Sequence, residues 1–352
     1  MWTLAALALA LAQAFPAALA PLTTPLPPLP IAAFPDHEPP ALTAGAWAIY
    51  SVDHGAMLWA SAADEVRPPA SVTKLMTALL VVEAGIDPTE QLTISAAAAA
   101  EPIGYVGQQK LYEGEVWGVE ALLTDLLIYS DNGAAVALAE RVAGSVEAFV
   151  ALMNQRAAEL GMTSTNFENP NGLDEAGHVS SARDLIRLGG AVLAEPRLTR
   201  ITRVKYATFT PGGRVMEVKN TNRLLGTFPG VFGLKTGDTL TAGQVLLSYG
   251  SFPHGDFLAV VMGSDGHMRD TRALMAYALR TLGPKDHFYS VGADLPALAE
   301  WPTWWLARID AAGDLDDGRQ PGVPTRLSPA ERRLADALSA LLPRVLAGGG
   351  DR

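Results

Sequence analysis

Between residues 42 and 285 the spacing of apolar positions passes from strand-like to helix-like and back, which predicts one sheet interrupted by a helical insertion. The apolar runs 47–52 and 56–60 flank Asp53-His54-Gly55, a Gly-containing turn, and read as a hairpin. Pro68 and Pro69 stop the chain, and an apolar helix-like run begins at Ala70 and continues to Leu80. Helical patterns rich in Ala and Leu follow near 94–100, 119–129, 134–142, 145–160 and 182–193, within a helical subdomain of about residues 85–195. Strand-like spacing returns at 201–209, 214–219, 231–236, 244–249 and 257–262, before a helix near 268–282. The fold class expected is α/β (α+β), with an inserted all-helical subdomain.

The flanks follow other rules. Residues 2–14 are apolar, and the small-x-small triplets Ala12-Gln13-Ala14 and Ala18-Leu19-Ala20 offer cleavage sites, so 1–14 reads as a signal peptide. Its n-region lacks Lys and Arg, which keeps an uncleaved anchor open, although the stretch is shorter than the ~20 apolar residues that span a bilayer. Residues 15–41 read as a Pro-rich extended linker. In the tail, 286–352, Trp301, Trp304 and Trp305 cluster, and a helix from Ser328 would align Leu334, Leu338, Leu341, Leu342 and Val345 opposite Arg332, Arg333 and Asp336. Pro343 weakens that helix, and two readings stay open: packing back onto the domain, or peripheral contact with a membrane surface.

Composition narrows the partners. A hydrophobic content of 49% can fill a complete core, while a net charge of -11 and a pI near 5.0 leave no basic face for phosphates and exclude nucleic acid. The absence of cysteine removes disulfides and thiolate metal sites, and fits an exported protein. His37, His54, His178, His254, His267 and His287 have no paired ligand spacing, so neither a metal nor another cofactor is expected.

Three stretches carry candidate chemistry. At the head of the helix-like run, Ser71 and Lys74 lie three residues apart on one face, a hydroxyl beside an amine. A lysine activates such a hydroxyl only when its neutral form is favoured, through burial or a nearby positive charge. Taken alone, the pair is equally an N-cap serine followed by a solvated lysine. Ser130-Asp131-Asn132-Gly133 breaks one apolar helix and starts another; it is turn chemistry, or a hydroxyl and an amide aimed together into a cleft. Lys235-Thr236-Gly237 ends a strand whose edge could accept an extended peptide, with a lysine and a hydroxyl suited to a carboxylate.

In this order, the three stretches resemble the penicillin-binding protein and serine β-lactamase superfamily. The likeness extends through Pro69–Ala78, Gly161–Phe167, Asn169-Pro170-Asn171-Gly172-Leu173-Asp174, Ser181-Ala182-Arg183-Asp184 and Asn220-Thr221-Asn222, and is to the D-alanyl-D-alanine carboxypeptidases in particular. It covers roughly residues 42–285 and implies a β-lactamase/transpeptidase-like fold, an antiparallel sheet flanked by helices. It also implies a peptidase outside the cytoplasmic membrane that removes the terminal D-alanine of peptidoglycan pentapeptide stems and takes β-lactam antibiotics as inhibitors. Ser71 would carry the acyl group, Lys74 would be its base, Ser130 would pass a proton to the leaving amine, and Asn132 would hold the substrate amide. Lys235 and Thr236 would bind the terminal carboxylate beside Gly237, so the two roles require Lys74 neutral and Lys235 charged. The oxyanion hole would be the backbone N–H groups of Ser71 and Asp238, and Arg269 would assist with the carboxylate.

Two departures bear on this. Asp131 stands where these carboxypeptidases usually have glycine and the class A β-lactamases have aspartate, and Asp238 puts an acid at the mouth of an anion site. With Glu168 as a candidate deacylation base, followed three residues later by Asn171, Ser130-Asp131-Asn132 keeps a class A-like β-lactamase as the rival enzyme. A catalytically idle peptidoglycan-binding protein is the rival of another class.

Overall fold

The computed structural model describes residues 39–105, 107–252 and 255–281. The expected signal peptide, nearly all of the linker and the whole tail lie outside the described residues.

Strands β1 (Ala46–Ser51) and β2 (Ala56–Ser61) form the expected hairpin. The chain then passes through a 3-10 turn, Ala70–Thr73, directly into α1 (Lys74–Glu83), so the helix expected from Ala70 begins as a tighter turn. The insertion holds β3 (Gln91–Thr93), α2 (Ala96–Ala100), β4 (Val116–Gly118) and α3 (Val119–Thr124), the last widening into a π turn, Asp125–Tyr129. Next come α4 (Asn132–Ala143), α5 (Val146–Glu159), α6 (Ala182–Leu193) and α7 (Pro196–Thr202). The polar residues Ser95, Asp131, Ser145 and Ser181 each accept a backbone N–H three residues on, which starts α2, α4, α5 and α6 where they start. The chain continues through β5 (Tyr206–Phe209), β6 (Met216–Lys219), β7 (Val231–Thr239), β8 (Gly243–Phe252), β9 (Gly255–Ser264) and α8 (His267–Thr281).

Three local expectations change. The insertion is not all-helical, because β3 and β4 pair as a ribbon, each too short for alternation to register. The strand expected over 201–209 begins only at Tyr206; Pro196, in the first turn of α7, starts a helix that runs to Thr202. The segments β5 and β6 pair with each other and form a hairpin separate from the main sheet.

The main sheet is antiparallel, in the order β2-β1-β9-β8-β7. Pairing of β1 with β9 joins the two ends of the domain and leaves the helical insertion as a second lobe. Alternation divides β9 cleanly: Phe257, Ala259 and Val261 pack on the side of α8, while Leu258, Val260 and Met262 pack with α1, α4 and α6. With both faces covered, its continuous apolar run is what burial on two sides requires. Among the described residues strand β7, which carries Lys235, pairs only with β8 and is the sheet's edge. Among the described residues no helix is long and apolar enough to cross a membrane.

Candidate active site

In a 3-10 turn, residues three apart eclipse, so the turn at Ala70–Thr73 stacks Ser71 under Lys74. Lys74 Nζ lies 3.0 Å from Ser71 Oγ, and the residue before the serine, Ala70, is held at φ +47°. A non-glycine residue there costs ~1–3 kcal/mol and persists only when its surroundings fix it. The loop through Asn169-Pro170-Asn171-Gly172 does so. Thr77 Oγ1 donates to the Pro170 carbonyl at 2.6 Å, and Lys74 Nζ donates to the Asn171 carbonyl at 2.5 Å. Gly172 sits at φ +83°, and a Cβ there would lie 2.0 Å from the Ala70 carbonyl oxygen, so only glycine allows this approach. His178 clamps the loop from behind: its Nδ1 accepts the Glu168 N–H at 3.0 Å, and its Nε2 lies 2.8 Å from Thr73 Oγ1. Since Nδ1 accepts, Nε2 carries the proton.

Lys74 is 0% exposed, and burial lowers its amine to about 7, against the upward pull of the Asp131 and Glu101 carboxylates. Its contacts show what the neutral form can do. Asn132 Nδ2 donates to the Pro102 carbonyl at 2.7 Å, which fixes Oδ1 toward Lys74, 2.7 Å from Nζ. Asn132 Oδ1 and the Asn171 carbonyl can only accept, so they take both hydrogens of a neutral amine. The remaining lone pair is left for the Ser71 hydroxyl.

The opposite wall is built where α3 widens. The π turn ends at Ser130 in the left-handed conformation, φ +68°, and α4 begins at Asn132, so the expected break in the helix aims Ser130 and Asn132 into one cleft. Ser130 Oγ accepts from Lys235 Nζ at 2.9 Å, and Lys235 also donates to the Thr236 carbonyl at 2.8 Å. Thr236 Oγ1 lies 2.6 Å from Thr221 Oγ1, while the Thr221 N–H donates to the Ile128 carbonyl and Asn222 Nδ2 donates to the Gly233 carbonyl. The Asn220-Thr221-Asn222 stretch thus joins the π turn to β7. At Gly237 a Cβ would stand 2.9 Å from the Ser71 nitrogen and 2.8 Å from the Ala70 Cβ, so the glycine lets β7 run against the serine turn. Asp174, at the end of the loop, accepts from Thr239 Oγ1 and the Thr241 N–H and ties the β7–β8 turn to the same frame.

Ser71, Lys74, Ser130, Asn132, Lys235, Thr236 and Gly237 therefore converge. The Asp238 side chain is exposed and takes no part in Lys235's hydrogen bonds, which go to Ser130 Oγ and the Thr236 carbonyl. Arg269 is 42% exposed and contacts Asp270 and Thr43, with no hydrogen bond to the converging residues. The expected division of charge is also altered. Burial pushes Lys235 well below its ordinary value, and charge on Lys74 pushes it further, so burial disfavours the charged form of both amines. Sequence reasoning placed Asn171 only after Glu168 in the β-lactamase alternative and assigned no part to His178 or Thr221. The stretches holding Asn171 and Thr221 belonged to the resemblance, but a backbone carbonyl and a bridging hydroxyl leave no mark of their role. His178 had no signal beyond its type. Glu168 accepts from Asn166 Nδ2 at 2.7 Å and makes no hydrogen bond to Ser71 or Lys74, which leaves the β-lactamase alternative without a placed base.

A buried amine whose lone pair faces a serine hydroxyl, opposite a second lysine on a sheet edge, is a geometry for acyl transfer through serine. The chain belongs to the D-alanyl-D-alanine carboxypeptidase family, peptidase family S11, whose model matches residues 34–266. It is 36% identical to D-alanyl-D-alanine carboxypeptidase DacF of Bacillus subtilis over 216 residues, 60% of this chain and 55% of that one. With DacD of Salmonella typhimurium the identity is 35% over 253 residues, 68% of this chain and 64% of the relative. The chain thus spans less than two thirds of the length of these curated relatives. Among solved structures, the Streptomyces K15 DD-transpeptidase superposes with a TM-score of 0.65 at 26% identity, covering 69% of this chain and all of that one (100%). Penicillin-Binding Protein D2 from Listeria monocytogenes, solved in a cefotaxime-bound form, superposes with a TM-score of 0.61 at 31% identity, over 68% of this chain and 99% of that one.

Proposed function

We propose that this protein is a serine-type D-Ala-D-Ala carboxypeptidase that removes the terminal D-alanine of peptidoglycan stem peptides through an acyl-enzyme on Ser71. The observation that carries the reading is the three-way hydrogen bonding of Lys74, which commits two amine hydrogens and leaves a lone pair for Ser71. In the first step Lys74 takes the Ser71 proton as Oγ bonds to the carbonyl carbon of the penultimate D-alanine. The negative oxygen is received by the Ser71 and Asp238 N–H groups. Ser130 hands its proton to the departing amine nitrogen, the C–N bond breaks, and the proton held by Lys74 restores the hydroxyl. A water then repeats the sequence on the acyl carbon, with Lys74 or Ser130 as base, and frees Ser71.

The terminal carboxylate lies against Lys235 and Thr236. An anion there supplies the partner that favours the Lys235 ammonium, which burial otherwise disfavours. Penicillin presents a carbonyl and a carboxylate in the same relation and acylates Ser71 too, but its leaving group stays tethered and obstructs the water. Residues 1–14 serve as the export signal, the protein acts in the periplasm or cell envelope, and the tail's amphipathic stripe gives peripheral membrane contact.

The test combines intact-protein mass spectrometry after a penicillin pulse with D-alanine release from a diacyl-D-Ala-D-Ala peptide. The expected result is repeated peptide turnover, a penicilloyl adduct that persists for minutes, and no adduct in Ser71→Ala. Rapid return to the unmodified mass with sustained antibiotic turnover and no D-alanine would overturn the reading in favour of a β-lactamase. Fractionation of cells and N-terminal sequencing test the export arm; an intact Met1 on a cytoplasmic protein would refute it.

A further inference from the structure

Asp125 and Asp131 are the site's unused acids. Asp125 sits in the π turn directly under the Ser130–Asn132 loop: the Ser130 N–H donates to its carbonyl, and the Asp131 N–H reaches the same carbonyl at 3.5 Å. Its side chain is 0% exposed, and neither carboxyl oxygen has a hydrogen-bond partner among the described residues. Asp131 is 3% exposed but differently placed, since its Oδ1 accepts the Ala134 N–H at 2.9 Å at the start of α4. Its neighbours in sequence hold the two site lysines: Ser130 contacts Lys235, and Asn132 contacts Lys74.

A wholly buried carboxylate without donors is too costly to keep ionised, so Asp125 holds a proton. Asp131, with a backbone donor and the positive end of α4, is where a charge can stay. We infer that Asp131 is a positioning residue that supplies the buried negative charge opposing Lys74, with Asp125 as the protonated partner beneath it. The titratable and charged groups facing the pair are Lys74 from α1, Glu101 from the end of α2, Tyr105 from the loop after it, Arg214 from the turn before β6, and, through Ser130, Lys235 from β7. Burial and the Asp131 charge raise the Asp125 carboxyl well above its ordinary value; burial also raises Asp131, against the Ala134 N–H, Lys74 and Arg214, which favour its charge. With a glycine at 131, as the carboxypeptidases it resembles usually have, Lys74 would lose this opposing charge. The aspartate therefore keeps Lys74 protonated to a higher pH and delays the onset of base function as pH rises.

The inference rests on Lys74 being the base, and the experiment separates the two. The acylation rate of the full chain by a fluorescent penicillin is followed from pH 5 to 10, beside an NMR titration of the Lys74 side chain in protein labelled at its lysines, of which there are only six. Asp131→Asn keeps a capping oxygen but removes the charge; the acid limb and the Lys74 titration should both move down by about one pH unit. Asp131→Gly should do the same if the asparagine variant does not fold. Asp125→Asn, which replaces a group already neutral, should leave both within a few tenths of a unit. Lower rates with an unmoved Lys74 titration would reduce Asp131 to a helix cap and overturn the inference. A shift for Asp125→Asn equal to that for Asp131→Asn would overturn the assignment of the proton. If the Lys74 titration moves while the acid limb does not, the countercharge stands and it is the role of Lys74 as base that fails.

Discussion

Asp270, on the α8 side of the sheet, and Asp125, beneath the site on the other side, are both almost wholly buried, at 2% and 0% exposed. Asp270 Oδ2 accepts from the Thr43 N–H and Oγ1, the Ala44 N–H and Ser264 Oγ, whereas among the described residues nothing donates to either carboxyl oxygen of Asp125. The first arrangement replaces lost water with donors and ties the start of the domain to α8. The second leaves the desolvation uncompensated, next to two lysines whose burial also disfavours charge. What differs is the use: around α8 a buried charge holds elements together, while at the site burial brings the Lys74 amine to about 7, where it can both take and give up a proton.

The largest effect expected belongs to the site. Lys74→Ala should slow acylation of Ser71 by about 10²- to 10⁴-fold, the range for loss of a general base, measured with fluorescent penicillin under single-turnover conditions. A fall below tenfold would mean that the buried amine is only structural. Next in size is the contrast between the aspartates. Asp270→Leu should cost ~3–5 kcal/mol in denaturant unfolding, since it strands four donors, while Asp125→Leu should be neutral or stabilising by ~1 kcal/mol. Equal losses in both would erase the distinction between the two regions.

The smallest effect is set by pH. Burial and the charge on Lys74 lower His178 to about 4 from the usual 6.5, so the unfolded chain binds a proton there that the folded chain does not. Its contribution is whole above pH 6.5 and declines as pH falls toward 4, by at most roughly 3 kcal/mol, because protonation would put a hydrogen on the Nδ1 that now accepts from Glu168. His178→Gln should flatten this part of the stability curve relative to the parent protein. Parallel curves would place the titration elsewhere.

Much of this was legible along the chain, for physical reasons that differ from place to place. The β1–β2 hairpin and α6 follow alternation and helical spacing, which are local properties. Ser71 and Lys74 meet because three residues of tight turn bring them together, whatever the rest of the fold does. The β3–β4 ribbon offers too few residues for a period. Before Tyr206 the apolar residues Ile201 and Val204 are too few to fix a period, and Pro196 starts a helix that runs through Ile201 to Thr202. The π turn gives no sign of itself, since Asp125–Tyr129 continues the apolar pattern of α3.

By itself the sequence determined which chemistry was present: a hydroxyl and an amine three apart, a Ser-Asp-Asn turn, and a lysine on a strand ending in glycine. These depend on residue type and short spacing alone. Tertiary structure decided what state those groups are in. The acceptors that orient Lys74 lie 58 and 97 residues away, and Ser130 lies 105 residues from Lys235. Burial, which lowers both amines and leaves Asp125 without a donor, belongs to the packed whole and to no segment of it. An aspartate in an apolar helix and an aspartate at the start of α8 read alike in sequence, and only the fold surrounds one with donors and the other with none.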